Sequence, residues 1–272
     1  GQVVSFLDAN AVDINTVAGV AGVTAATFNL TTAGAVSDTT ASTISGVTTI
    51  VAGSSNNVIL DVAGNNFGTV AVTSGSIVTL VDSNALTLGA TTANAALSVT
   101  AVGVLTLSGT ITSTTSTIAL TSTADDGGAV TFVQGGQTIT STAAGLTIRA
   151  DDMTLDATIN AAGRTVTLIS NTGSDTIDIG STGASAANRL ELSNAELQTI
   201  AATTLVIGSA AAGNIAFVTA DVTPGSSPGS ALTTVSLITG GTITGTSFGI
   251  IETNLALTAG GHTFGKCHGA GD

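Results

Sequence analysis

Tryptophan and tyrosine are absent from this 272-residue chain, cysteine occurs once, proline twice, and lysine and arginine together four times. Each scarcity removes a class of protein. An outer-membrane barrel wants girdles of Tyr and Trp at both interfaces, and neither residue is present. A β-sandwich fills a gap of roughly 10 Å between sheets with large side chains, and seven Phe are poor material for that. A lone cysteine, Cys267, rules out an internal disulfide and neither requires nor forbids an oxidising compartment. Phosphate neutralisation needs Lys and Arg; Arg149, Arg164, Arg189 and Lys266 are too few and too scattered, against 17 Asp+Glu and a net charge of −13, for a nucleic-acid partner. No apolar run approaches the roughly 18 residues of a membrane helix, and no basic region followed by an apolar one opens the sequence, although the mature product of an exported precursor would look the same.

What is present is glycine, at 34 residues, together with Ala, Thr, Ser, Val, Leu, Ile and Asn. Disordered chains combine low hydrophobicity with few β-branched residues. Here 43% of residues are hydrophobic, mean hydropathy is +0.56, and Val, Ile and Thr recur throughout. Stiff β-branched side chains suit a pleated strand, so the composition predicts order built from strands.

Residues 57–260 repeat one short pattern: four to six alternating residues followed by Gly, Ser, Asn or Asp. Ile77-Val-Thr-Leu-Val81, Ala85-Leu-Thr-Leu-Gly89, Ala96-Leu-Ser-Val-Thr100, Val104-Leu-Thr-Leu-Ser108, Thr117-Ile-Ala-Leu-Thr121 and Ala129-Val-Thr-Phe-Val133 are examples. Later come Gly145-Leu-Thr-Ile-Arg149, Asp175-Thr-Ile-Asp-Ile179, Arg189-Leu-Glu-Leu192 and Asn254-Leu-Ala-Leu-Thr258. Each puts its apolar residues on one face and Thr, Ser or Ala on the other. Strands so short bury little unless like strands stack above and below them. The expectation is therefore an all-β parallel β-helix, or β-solenoid, of short strands joined by Gly/Asn/Ser/Asp turns. Two or three strands per coil give rungs of roughly 20–30 residues and about ten coils, a rod about 50 Å long at the usual strand spacing. One solenoid domain is expected over residues 1–264, then a C-terminal tail at 265–272.

Two segments interrupt the beat. Ser193-Asn-Ala-Glu196 matches a helix capping box, but so short a signal is read here as a tight corner between strands 189–192 and 204–208. Both prolines fall in Asp221–Ser230, read as a loop bulging between coils.

Asn65-Asn-Phe-Gly68 with Val78-Thr-Leu-Val-Asp-Ser-Asn-Ala-Leu-Thr-Leu-Gly89, continued by Leu97-Ser-Val-Thr-Ala-Val-Gly-Val-Leu-Thr-Leu-Ser-Gly109, resembles the repeats of filamentous-haemagglutinin-like exoproteins. Ile177-Asp-Ile-Gly180, Leu190-Glu-Leu-Ser-Asn-Ala-Glu-Leu197, Thr204-Leu-Val-Ile-Gly208 and Gly213-Asn-Ile215 are similar to a second repeat type of those proteins. The resemblance covers about residues 57–260 and implies a right-handed parallel β-helix. It further implies export from a Gram-negative bacterium through a partner pore, display at the cell surface, and a role in adhesion, aggregation or biofilm formation. Partners implied are further copies in an end-to-end filament and a host or cell-surface receptor or polysaccharide. The chain departs from the family pattern in having no clear export domain at its start, which makes it look like an internal or processed segment of a larger precursor.

Candidate chemistry is sparse. The carboxylate pairs are Asp125-Asp126, Asp151-Asp152 and Asp175/Asp178, and only Asp151-Asp152 has a cation close in sequence, Arg149. Catalysis by paired acids needs such cations nearby, so no catalytic residue is assigned and a polysaccharide-binding or polysaccharide-degrading β-helix is the alternative. The acids do not recur with a fixed period, and the calcium-binding G-G-x-G-x-D repeat is missing; they are read as solvated turn residues. His262, Cys267 and His268 match no standard zinc spacing, so neither metal nor cofactor is expected, and Cys267 is a candidate for an intersubunit disulfide. Thr112/Thr114, Thr115/Thr117 and Thr121/Thr123 raise ice binding, which requires Thr-x-Thr in register on one face of successive coils.

Overall fold

A computed structural model describes residues 1–125, 127–181, 186–219, 221–225, 232–245, 249–250 and 254–261. The chain is a β-solenoid: short strands wind round one axis and stack in parallel on their counterparts in the next coil. The hairpin Thr16–Val17/Val20–Ala21 is the one antiparallel pairing among the described residues.

Three faces make up each coil, as the strands Thr43–Val51 and Val58–Leu60 illustrate. Residues 43–44 lie on the first face, 48–51 on the second and Val58–Leu60 on the third. In Thr43–Val51 and Asn66–Ser74 the backbone runs unbroken across the corner between the first two faces. In the next coil, turns begin to split it into pairs such as Leu86–Leu88 and Thr91–Ala93. Glycine marks these turns because the backbone of the neighbouring coil passes too close for a side chain; a Cβ on Gly109 would lie 2.2 Å from the Ala90 nitrogen.

The third face is the most regular. Among the described residues, eleven strands stack from Val12–Ile14 to Asn254–Ala259, which at ~4.8 Å per layer makes a rod of about 48 Å. Val58, Val78, Leu97 and Ile118 stand on one another, so a turn takes about 20 residues. The turn from Ile118 to Leu146 is longer, because the chain makes an excursion around Asp125. Inside, Leu60, Leu80, Val99, Leu120, Ile148 and Leu168 form a continuous aliphatic column, all of them buried. Such a column is what alternating Val/Leu/Ile gives when identical faces repeat: each side chain rests on its counterpart, and burial contributes roughly 1.5–3 kcal/mol apiece.

One coil departs from the simple winding. Thr176–Ile179 pairs with Ile215–Phe217 on one edge and with Arg189–Leu192 on the other. The chain therefore climbs one layer, steps back to lay Arg189–Leu192 beneath, and climbs again. The layer is completed by the helix Asn194–Gln198 where a tight corner was expected, so the capping signal holds and the corner reading is corrected. The Ser193 hydroxyl accepts from the Glu196 N–H, and the Glu196 carboxylate accepts from the Ser193 N–H at 2.8 Å and from the Leu155 N–H of the coil below at 3.1 Å. The helix is fixed by bonds to another layer as well as its own, with Leu197 buried beneath it.

Two smaller expectations also need correction. Of Ala129–Val133 only Phe132–Val133 is strand, and the segment 221–230 opens as the strand Asp221–Val222, paired with Gly249–Ile250. Residues 226–230 of that segment and 262–272, which include His262, Cys267, His268 and the 265–272 tail, lie outside the described residues.

Candidate functional sites

The sequence-derived acids are dispersed by the winding. Asp125 is exposed and accepts from the Gly127 N–H, as expected of a turn acid; its neighbour Asp126 lies outside the described residues. Asp151 is buried and accepts from both the N–H and the hydroxyl of Thr172 in the next coil. Asp152 is buried and accepts from the Met153 N–H. The cation expected beside them is elsewhere: Arg149 sits on the outer surface of its strand and donates to the Ser170 carbonyl. The strand ends at Arg149, so alternation stops there, and the chain that follows buries Ala150, Asp151 and Asp152 in succession as it turns the corner.

Asp178 and Glu191 stand directly opposite each other on adjacent strands, a like-charge juxtaposition that costs stability unless compensated. Arg189 forms an ion pair with Asp178, while Glu191 accepts from the Ser181 hydroxyl at 2.8 Å and the Ala186 N–H at 2.9 Å. This cluster was not anticipated as a unit. Its signal was the strand pattern itself, Thr176-Ile-Asp-Ile179 and Arg189-Leu-Glu-Leu192, with both acids at outward positions. Among the described residues no group of three His, Cys, Asp or Glu is placed to hold a metal ion.

Threonines line up, but singly. Thr69, Thr87, Thr106, Val133 and Thr154 form one outward row on the first face, and Thr92, Thr112, Thr140 and Asn160 another on the second. Thr114 lies in a corner and bonds to the Asn94 carbonyl at 2.7 Å, so Thr112/Thr114 do not share a face. On the third face the outward pairs are Thr79/Val81, Ser98/Thr100, Ala119/Thr121 and Thr147/Arg149, a mixed surface rather than a Thr-x-Thr array.

The most organised polar constellation lies inside, at the corner where the third face turns into the first. Asp38 is buried in the aliphatic column between Ile14 and the level of Leu60. One oxygen accepts from the Asp61 N–H at 3.0 Å and the other from the Asn65 amide at 2.6 Å. Asn65, fully buried, accepts at its own oxygen from the Ser42 N–H at 2.9 Å, and its carbonyl accepts from the N–H and hydroxyl of Ser83. Asp82, also fully buried, accepts from the Phe67 N–H at 2.6 Å and the Asn84 N–H at 2.9 Å. The corner 61–67 is thus gripped from the coil below by Asp38 and from the coil above by Asp82. Burial raises the pKa of both carboxyls, and the N–H and amide donors that face them oppose it. The sequence held a signal for these residues: in Val36-Ser-Asp38 and Val78-Thr-Leu-Val-Asp82 the acid occupies the parity of an inward apolar residue.

Further along, buried hydroxyls take over the tie between layers. Ser113 donates to the Ala95 carbonyl at 2.6 Å, Ser122 to Gly103 at 3.0 Å, and Ser141 to Ser116 at 3.3 Å.

Residues 1–74 match a family described as repeats of unknown function (DUF5649). The matched stretch is about a quarter of the chain and spans the first coils, upstream of most of the region where the repeat pattern is plainest by eye. Repeat architecture is the class that fold and match define together. No curated protein and no solved structure matches the chain.

Proposed function

We propose that this chain is a stretch of a structural or adhesive rod displayed outside a bacterial cell, of the kind found in filamentous-haemagglutinin-like exoproteins, and that it performs no catalysis. The observation that carries this reading is the ladder: parallel pairing through eleven layers, with the buried acids and hydroxyls spent on bonds between coils. In such a rod the outer faces carry adhesion, and a strand edge that no described residue pairs with, such as the outer edge of Asn254–Ala259, pairs with further coils of the same polypeptide or with another copy.

Electron microscopy of the purified chain, combined with a mass measurement, tests this. Slender rods or continuous fibres are expected, and display on a heterologous bacterial surface is expected to promote cell–cell aggregation. Compact particles with a polysaccharide-cleaving activity abolished by Asp152→Ala would overturn it.

A further inference from the structure

We infer that the Asp38–Asn65–Asp82 clasp is a register lock, the device that decides which residue of one coil stands on which residue of the next. The need for it follows from the repeat. Val36-Ser-Asp38, Val58-Ile-Leu60 and Val78-Thr-Leu80 are short strands of one pattern, stacked Val36 on Val58 on Val78. Because side chains alternate with a period of two, a slip of two residues keeps every inward side chain inward. Val and Leu differ little in what they bury, so the aliphatic column alone discriminates weakly between the native register and a slipped one.

The clasp discriminates strongly. Its acceptors are charged or amide oxygens in a buried corner, and its donors are the Asp61, Phe67 and Ser42 N–H groups and the Asn65 amide. A slip of two residues carries each donor about 6.6 Å along the strand, beyond hydrogen-bond reach, and leaves buried carboxylates facing aliphatic side chains. Asp38 sets Val36–Asp38 against Val58–Leu60 and the corner after it. Asp82 sets Val78–Asp82 against the start of Asn66–Ser74. Buried polar groups that specify register at a cost in stability have precedent in coiled coils, and here the grip sits in early coils whose neighbours, Ala101 and Ser122, no longer carry an acid at the level of Asp82.

Disulfide trapping reads register directly, because cysteines whose Cα atoms lie more than about 7 Å apart cannot be bridged without backbone movement. In a Cys267→Ser background, the outward pair Ser37→Cys/Ile59→Cys reports the native register, and Ser37→Cys/Asn57→Cys reports a slip of two. With the clasp intact, only the first pair is expected to close on oxidation. With Asp38→Leu, Asn65→Leu and Asp82→Leu combined, the second pair is expected to close in at least a tenth of the molecules while the β-sheet circular-dichroism signal persists. Closure of the native pair alone in a folded triple variant would overturn the proposal. If the triple variant fails to fold, Asp38→Asn, which keeps one acceptor oxygen, is read in the same assay. Slipped closure supports the lock, and purely native closure with lowered stability makes the clasp a stabilising feature without a role in register.

Discussion

At the scale of single residues, one interior atom is out of place energetically. Thr48 is fully buried between Phe28 and Val70 in the inward column, and its hydroxyl has no hydrogen-bond partner among the described residues. A buried hydroxyl without a partner costs about 1–3 kcal/mol, and valine has nearly the same shape. Thr48→Val is therefore expected to stabilise the protein by about 1 kcal/mol, seen as a higher urea midpoint with an unchanged m-value. The two clasp carboxyls make a second residue-scale prediction. Burial raises Asp38 and Asp82 above the ordinary value of 3.8. Between 3.8 and each raised folded-state value the folded protein holds more protons than the unfolded chain, so stability falls as pH rises through that window. Their contribution is complete below 3.8 and lost above the folded-state values. Unfolding free energies measured from pH 7 downward should therefore rise for the wild type on entering the window, and rise less for Asp82→Asn. An equal slope in the variant would sink the assignment. Both acids were legible in principle, because each breaks the parity of an alternating strand. They escape notice because Asp next to Gly, Ser or Asn is ordinarily a turn residue, and only the coil above and below tells the two apart.

At the scale of elements, the helix Asn194–Gln198 shows how a signal too short to stand alone becomes structure. Five residues do not sustain a helix in water, since nucleation is unfavourable. This one is held because Glu196 satisfies an N–H of the coil below and Leu197 is buried. Ser193→Ala is expected to cost about 1 kcal/mol, the usual value of an N-cap. Glu196→Ala is expected to cost more, because it orphans the Ser193 and Leu155 N–H groups together, and faster hydrogen exchange at the Leu155 amide is the measurement that separates the two. A ranking in the other order would mean that the contact to the lower coil contributes little. Gly208 supports a harder prediction: it sits at φ +86, and a Cβ there would lie 2.3 Å from the Ile238 carbonyl oxygen. Gly208→Ala should lower the thermal midpoint by several degrees, with strain and clash adding. Strand existence and facing were readable from alternation. The order of strands along the axis was not: Thr176–Ile179 and Arg189–Leu192 carry the same pattern, and nothing local announces that the later one lies in the lower layer.

At the scale of the whole molecule, the solenoid is a one-dimensional stack, and stability in such stacks is a sum of coil and nearest-neighbour terms. Leu120 rests on Val99 and carries Ile148, all three fully buried. Leu120→Ala removes that link and leaves a cavity, at a cost of about 2–5 kcal/mol. In a globular core the loss would be felt everywhere at once. Here the damage should stay near its layer: amides of Leu97–Ala101 and Leu146–Arg149 should exchange faster, while those of Ile215–Phe217, several coils away, keep their wild-type protection. Residue-resolved hydrogen exchange under native conditions distinguishes the cases, and a uniform loss of protection along the rod would show that its layers unfold as one unit. Local failure is what the surface rod proposed above needs, because a single disrupted coil then leaves the coils on either side paired and the rod continuous in backbone bonds.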